Sequence, residues 1–158
     1  GKDGRHLYAL EAPRQHAGAG FGWSVASLGD VTADGIPEFV VGAQGQDDAG
    51  RAFVFDGHDG RLLLTLAPPA DTGRAGFGWS VAKAGDIDQD GLTDILVGAP
   101  YSTVDGRSVQ GRAYVFSAKD GTVLLTLDDP QPQAGASFGW CVRPAGDLNK
   151  DNIPDILI

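Results

Sequence analysis

The chain has 158 residues, 42% of them hydrophobic, and a formal charge of −9. It can therefore bury a core, but it offers no basic stripe for nucleic-acid phosphates or for an anionic membrane surface. The single Cys141 excludes an internal disulfide framework, and no apolar run approaches the roughly 20 residues of a membrane span.

The chain opens on Gly1 without a signal peptide, as expected of a processed start or of a piece of a longer protein. Residues 2–10, KDGRHLYAL, match the tail of a block that recurs further on, so residues 1–20 are expected to hold the last strand of a partial unit and a linker. Four short apolar segments follow: Phe21–Leu28, Glu38–Gly42, Arg51–Phe55 and Arg61–Leu66. They are rich in β-formers and too short for helices. Turn chemistry separates them, with DGHDG at 56–60 reading as a hairpin connection.

The pattern then repeats. FGWSVASLGDVTADGIPEFVVGA at 21–43 returns as FGWSVAKAGDIDQDGLTDILVGA at 77–99 and as FGWCVRPAGDLNKDNIPDILI at 138–158. GRAFVFDGHDGRLLLTL at 50–66 returns as GRAYVFSAKDGTVLLTL at 111–127. Four strands per repeated unit predict an all-β fold, a β-propeller of four-stranded antiparallel blades. The expected blades span 21–76 and 77–137, with the first two strands of another at 138–158. A β-sandwich fits the length but has no reason to repeat, and a parallel β-helix has a much shorter coil. Two whole blades and two partial ones do not close a ring of roughly four to eight. The chain is therefore expected to be a window onto a longer repeat protein, with higher-order assembly as the other route to closure.

Each unit places an acidic loop between its first two strands. In DIDQDGLTD, Asp86, Asp88 and Asp90 stand at positions 1, 3 and 5, Gly91 follows, Leu92 can offer its carbonyl, and Asp94 at position 9 can close a shell. Calcium takes six to eight oxygens in a flexible shell, which this alternation supplies; magnesium, with its small octahedral shell rich in water, fits less well. The third loop repeats the scheme with Asp147, Asn149, Asp151, Ile153 as carbonyl donor and Asp155, and puts Asn152 in place of the glycine. The first uses Asp30, Thr32, Asp34, Ile36 as carbonyl donor and Glu38, and is expected to bind most weakly; the second is expected to bind most strongly. Solvated turns without metal are the plainer alternative, but ten of the 21 acidic residues fall in these three loops, which argues for Ca2+. An EF-hand or dockerin loop leads into a helix, whereas EFVVGA, DILVGA and DILI read as strands.

Phe-Gly at 21–22, 77–78 and 138–139, with Gly-Ala at 42–43 and Gly-Ala-Pro at 98–100, resembles FG-GAP repeats, the blade units of integrin α-subunit propellers and of many secreted bacterial proteins. The resemblance covers nearly the whole chain. It implies rings of about seven blades, calcium in the loop joining the first two strands of a blade, and an extracellular or cell-surface setting. Loops filled at about 10⁻⁴–10⁻³ M calcium suit such a compartment.

Trp23, Trp79 and Trp140 share one register, which favours blade-to-blade packing over sugar binding. Ser24, Ser80 and Cys141 share another, so Cys141 is expected to be a small buried residue without a redox role. His6, His16 and His58 show neither common register nor metal-ligand spacing, and no phosphate loop or nucleophile elbow is present. The reading is a non-enzymatic binding, adhesion or assembly module with a protein or carbohydrate partner. The alternatives are an accessory propeller of a secreted hydrolase and a propeller lectin. The loops that vary between units, 43–50 and 99–111, and the linkers 67–76 and 128–136 are the expected partner surfaces.

Overall fold

The computed structural model describes residues 3, 4, 6, 9–13, 18–69 and 74–158. Ten strands form: β1 Phe21–Gly29, β2 Glu38–Ala43, β3 Arg51–Phe55, β4 Leu62–Leu66, β5 Ser80–Gly85, β6 Asp94–Ala99, β7 Arg112–Phe116, β8 Val123–Asp128, β9 Arg143–Gly146 and β10 Asp155–Leu157. They make two four-stranded antiparallel sheets, β1-β2-β3-β4 and β5-β6-β7-β8, and a two-stranded sheet of β9 and β10. The all-β architecture of propeller blades is thus the one the repeats predict. The strand expected over 2–10 rests in part on residues 2, 5, 7 and 8, which lie outside the described residues. No helix among the described residues is long and apolar enough to cross a membrane.

The second and third strands of each unit read as unbroken apolar runs because neighbours cover both of their faces. β2, β3, β6 and β7 are almost entirely buried, as expected of strands without a solvent face. The fourth strands, β4 and β8, lie at the outer edge and are largely open to solvent. Cores form between sheets as well as within them. One joins Leu28, Val40, Val54 and Leu66 of the first blade to Phe77, Val81, Ile95 and Phe116 of the second. The opposite face of the second blade packs Ala82, Leu96 and Val115 with Val142, Phe138 and Ile156.

The Phe-Gly and Gly-Ala pairs are the parts of this joint. Phe77 is fully buried and meets Tyr114 and Phe116 of its own blade at ring-centroid distances of 5.7 and 5.6 Å; Phe21 repeats this with Phe53 and Phe55. Each following glycine then lets one backbone touch another. A Cβ on Gly42 would lie 2.1 Å from the Gly78 carbonyl oxygen, and one on Gly98 would lie 1.9 Å from that of Gly139. The same carbonyls accept hydrogen bonds from Ser24 Oγ and Ser80 Oγ, both at 2.9 Å. Phe77 pairs in parallel with Gly50 of the preceding blade, and β5 begins at Ser80.

The antiparallel order sorts the connections onto two ends. The acidic loops and the hairpin turns 56–60 and 117–121 share one end of each blade. The β2–β3 loops, the Phe-Gly pairs and the tryptophans share the other. Trp79 stands between Trp23 at 4.7 Å and Trp140 at 4.5 Å, with Tyr101 edge-on at 5.2 Å; the rings meet across units as expected, but Trp23 and Trp140 stay 53% and 51% exposed. Cys141 departs from expectation: it is exposed. Its counterpart Ser80 is buried because β9 and Gly139 of the next unit cover it, and no further blade covers Cys141 among the described residues.

Gly98→Ala should destabilise the protein by about 1–3 kcal/mol, the usual cost of overpacking, read as a lower urea midpoint. Ser80→Ala should cost about 1 kcal/mol, while Cys141→Ala should leave the midpoint in place. Equal effects of the last two would deny that the next blade makes the difference.

Candidate metal centre

Each acidic loop folds on hydrogen bonds from its amides to its own carboxylates, in one scheme used three times. The position-1 acid accepts the amides of positions 5 and 6. Asp30 takes Asp34 N at 3.1 Å and Gly35 N at 2.9 Å; Asp86 takes Asp90 N and Gly91 N, both at 3.0 Å; Asp147 takes Asp151 N at 3.2 Å and Asn152 N at 3.0 Å. The position-5 acid fixes the amide two residues on, Asp34 to Ile36, Asp90 to Leu92 and Asp151 to Ile153, at 2.7–2.9 Å. Such short-range bonds are what Asp and Asn side chains make in turns. Position 9 closes the loop from the start of the second strand: Glu38, Asp94 and Asp155 each accept the position-2 amide at 2.7 Å.

Asn152 takes the left-handed conformation in the place held by Gly35 and Gly91, with φ of 68°, a conformation Asn tolerates better than most residues. Position 4 is left-handed as well, at Ala33, Gln89 and Lys150. Those three residue types carry no common signal, so the sequence is silent there; the carboxylate hydrogen bonds impose the conformation.

Two of the loops gather three carboxylates so that one oxygen from each lies within 4.8 Å of the others: Asp30, Asp34 and Glu38 in the first, Asp86, Asp88 and Asp90 in the second. A third such group joins Asp34 to Asp56 and His58 of the β3–β4 hairpin, a meeting that the spacing of the histidines did not disclose. Thr32 Oγ1 lies 3.4 Å from Glu38 Oε1. In the third loop, Asn149 turns its amide toward Asp151 Oδ2 at 2.9 Å, and Asp155 is only half-buried because, among the described residues, no strand covers β10 as β3 covers β2 and β7 covers β6.

Asp94 is the position under most electrostatic stress. It opens β6 opposite Gly85 of β5 and is completely buried, and while Oδ2 accepts the Ile87 amide, Oδ1 is buried without a hydrogen-bond partner. Burial, reinforced by the charges of Asp88 and Asp86 against the hydrogen bond from Ile87, raises its pKa to about 6. A buried oxygen left unpaired costs on the order of 1–3 kcal/mol. Asp94 is not one of the three converging carboxylates, but a cation in this loop would offset the repulsion it feels, so the donor set fits a hard divalent ion bound through oxygen.

The FG-GAP repeat family model matches residues 21–55 and 77–116. Mouse integrin alpha-IIb is 32% identical over 154 residues, covering 87% of this chain and 14% of its own length. Integrin alpha-5 of Xenopus laevis is 33% identical over 162 residues, covering 98% of this chain and 15% of its own. Human integrin alpha-11 is 31% identical over 160 residues, covering 98% and 13%. The chain thus spans a small part of the length of the curated relatives it matches.

In the presence of chelator, Asp94→Asn should raise the unfolding midpoint, by on the order of 1 kcal/mol of stability, because it removes one buried negative charge while keeping an acceptor for the Ile87 amide. Asp88→Asn, at an exposed position, should change the chelated protein less.

Proposed function

Starting from a chain that carries FG-GAP repeats and is distantly homologous to integrin alpha subunits, we propose that it is a calcium-stabilised segment of an extracellular β-propeller with a binding, adhesion or assembly role and no catalytic activity. The observation that carries this reading is the second acidic loop, where Asp86, Asp88 and Asp90 converge and the strand that follows opens on Asp94, buried with its Oδ1 unpartnered. The proposed ligands there are these four side chains and the Leu92 carbonyl. Asp30, Thr32, Asp34, Glu38 and the Ile36 carbonyl serve the first loop. Asp147, Asn149, Asp151, Asp155 and the Ile153 carbonyl serve the third.

Calcium, when bound, would supply positive charge to offset the clustered carboxylates. The residues do the structural work: they hold the loop closed, set where β1, β5 and β9 end, and so set the angle at which β2, β6 and β10 return. The blade limits follow as proposals, at 21–76 and 77–137, flanked by partial units at 1–20 and 138–158 within a longer repeat protein. The relatives, all integrin alpha chains, support a protein partner and an extracellular setting. The β2–β3 loops 43–50 and 99–111, on the end away from the metal loops, are the proposed partner surface. Carbohydrate is the alternative, with the row of Trp23, Trp79 and Trp140 as its surface.

Thermal unfolding of the full chain with and without chelator tests this. Calcium at about a hundred times its dissociation constant should stabilise the fold by roughly 2.7 kcal/mol per site, and Asp88→Asn should weaken binding to the second loop roughly ten-fold, about 1.4 kcal/mol. A midpoint indifferent to millimolar calcium would reject the reading.

A further inference from the structure

The turns that close β3–β4 and β7–β8 have one backbone geometry and different side chains. Gly60 N donates to Asp56 O at 3.0 Å and Asp56 N to Arg61 O at 2.9 Å; Gly121 N donates to Ser117 O and Ser117 N to Thr122 O, both at 2.9 Å. The third residue of each turn donates its amide to the side chain of the first, His58 to Asp56 Oδ1 at 2.8 Å and Lys119 to Ser117 Oγ at 3.2 Å. The turn therefore delivers residue 58 or 119 to a set place at the acidic end of its own blade. From there Lys119 Nζ lies 3.6 Å from Asp90 Oδ2, the oxygen left over when Oδ1 accepts the Leu92 amide. Asp90 is one of the three converging carboxylates of the second loop. His58 takes the corresponding place beside Asp34 of the first loop.

We infer that Lys119 is a tethered counter-ion of the second acidic loop, which partly neutralises the carboxylates without metal and opposes calcium when it enters, so that the residue at the tip of the turn sets the affinity of the loop. This rests on the reading of the loops as calcium sites and adds to it a residue outside them. Its consequence runs against simple counting of acids: the loop with four aspartates binds more weakly than those aspartates alone would allow. The Lys119 side chain is 67% exposed and that of Asp90 16%, so the ammonium stays hydrated while the carboxylate it faces is mostly covered. A unit charge a few ångströms from a divalent ion in a water-like dielectric changes binding roughly three- to ten-fold, and salt screens the effect.

Calcium titration of the full chain by calorimetry tests the inference, with the amide resonances of Gly91 and Leu92 reporting on the second loop alone. Lys119→Arg should match the wild type. Lys119→Gln should bind calcium roughly three- to ten-fold more tightly, Lys119→Glu more tightly still, and the differences should shrink in high salt. The reciprocal His58→Lys should weaken the first loop. A residue that merely held the turn in shape would lower affinity on substitution, not raise it. Calcium binding that ignores residue 119, or that weakens in Lys119→Gln, overturns this inference and leaves the calcium reading standing. Absence of calcium binding by the wild type and every variant removes both.

Discussion

Two backbones touching across neighbouring blades set the geometry of this protein. The Gly78 carbonyl enters the space a side chain on Gly42 would fill, and the Gly139 carbonyl does the same at Gly98. Because the approach is between main chains, little flexible side-chain packing intervenes, and the relative position of two sheets follows from the position of two glycines. The neighbouring residues depend on that contact. Ser24 and Ser80 satisfy the approaching carbonyls, and Phe77 fills the wedge that opens beside them. Burying such a ring is worth about 1.5–3 kcal/mol.

The acidic loops sit at the far end of the same inner strands, so the two ends of β1, β5 and β9 are held by opposite means. At one end, apolar rings and main-chain contacts exclude water. At the other, carboxylates accept the loop's own amides, and like charges accumulate. Asp94 shows the tension: its strand buries it for packing reasons, while its neighbours make its charge unwelcome. On the proposed calcium reading the ion would relieve that tension, and folding and metal binding would be one equilibrium. The hairpin turns bring a further side chain to that end from within the blade, a lysine beside Asp90 in one case and a histidine beside Asp34 in the other.

Much of this was legible in the residues. The repeated Phe-Gly, Gly-Ala and nine-residue acidic loops are local: each needs only its own few residues to form its turn or its short strand, so the letters carry the information. Strand order, the loop between first and second strands, and the left-handed Asn152 could all be read that way. The convergence of His58 with Asp34, and of Lys119 with Asp90, could not, since it depends on where a hairpin turn comes to rest relative to a loop more than twenty residues earlier. The left-handed turns at Ala33, Gln89 and Lys150 were hidden for another reason: their side chains play no part in forming them.

The sequence by itself determined the repeating unit, its four strands and the chemistry of its loops, because those follow from short-range sterics, turn residues and charge. Only the tertiary structure decided what each copy of that unit experiences. Val25 and Val81 stand at the same place in the same FGWSVA, yet one is 67% exposed and the other 4%, because β5 lies between β1 and β9 while β1 has a described neighbour on one side alone. Ser80 and Cys141 differ for the same reason. Burial is a property of neighbours, and identical residues acquire different environments according to the blade that covers them.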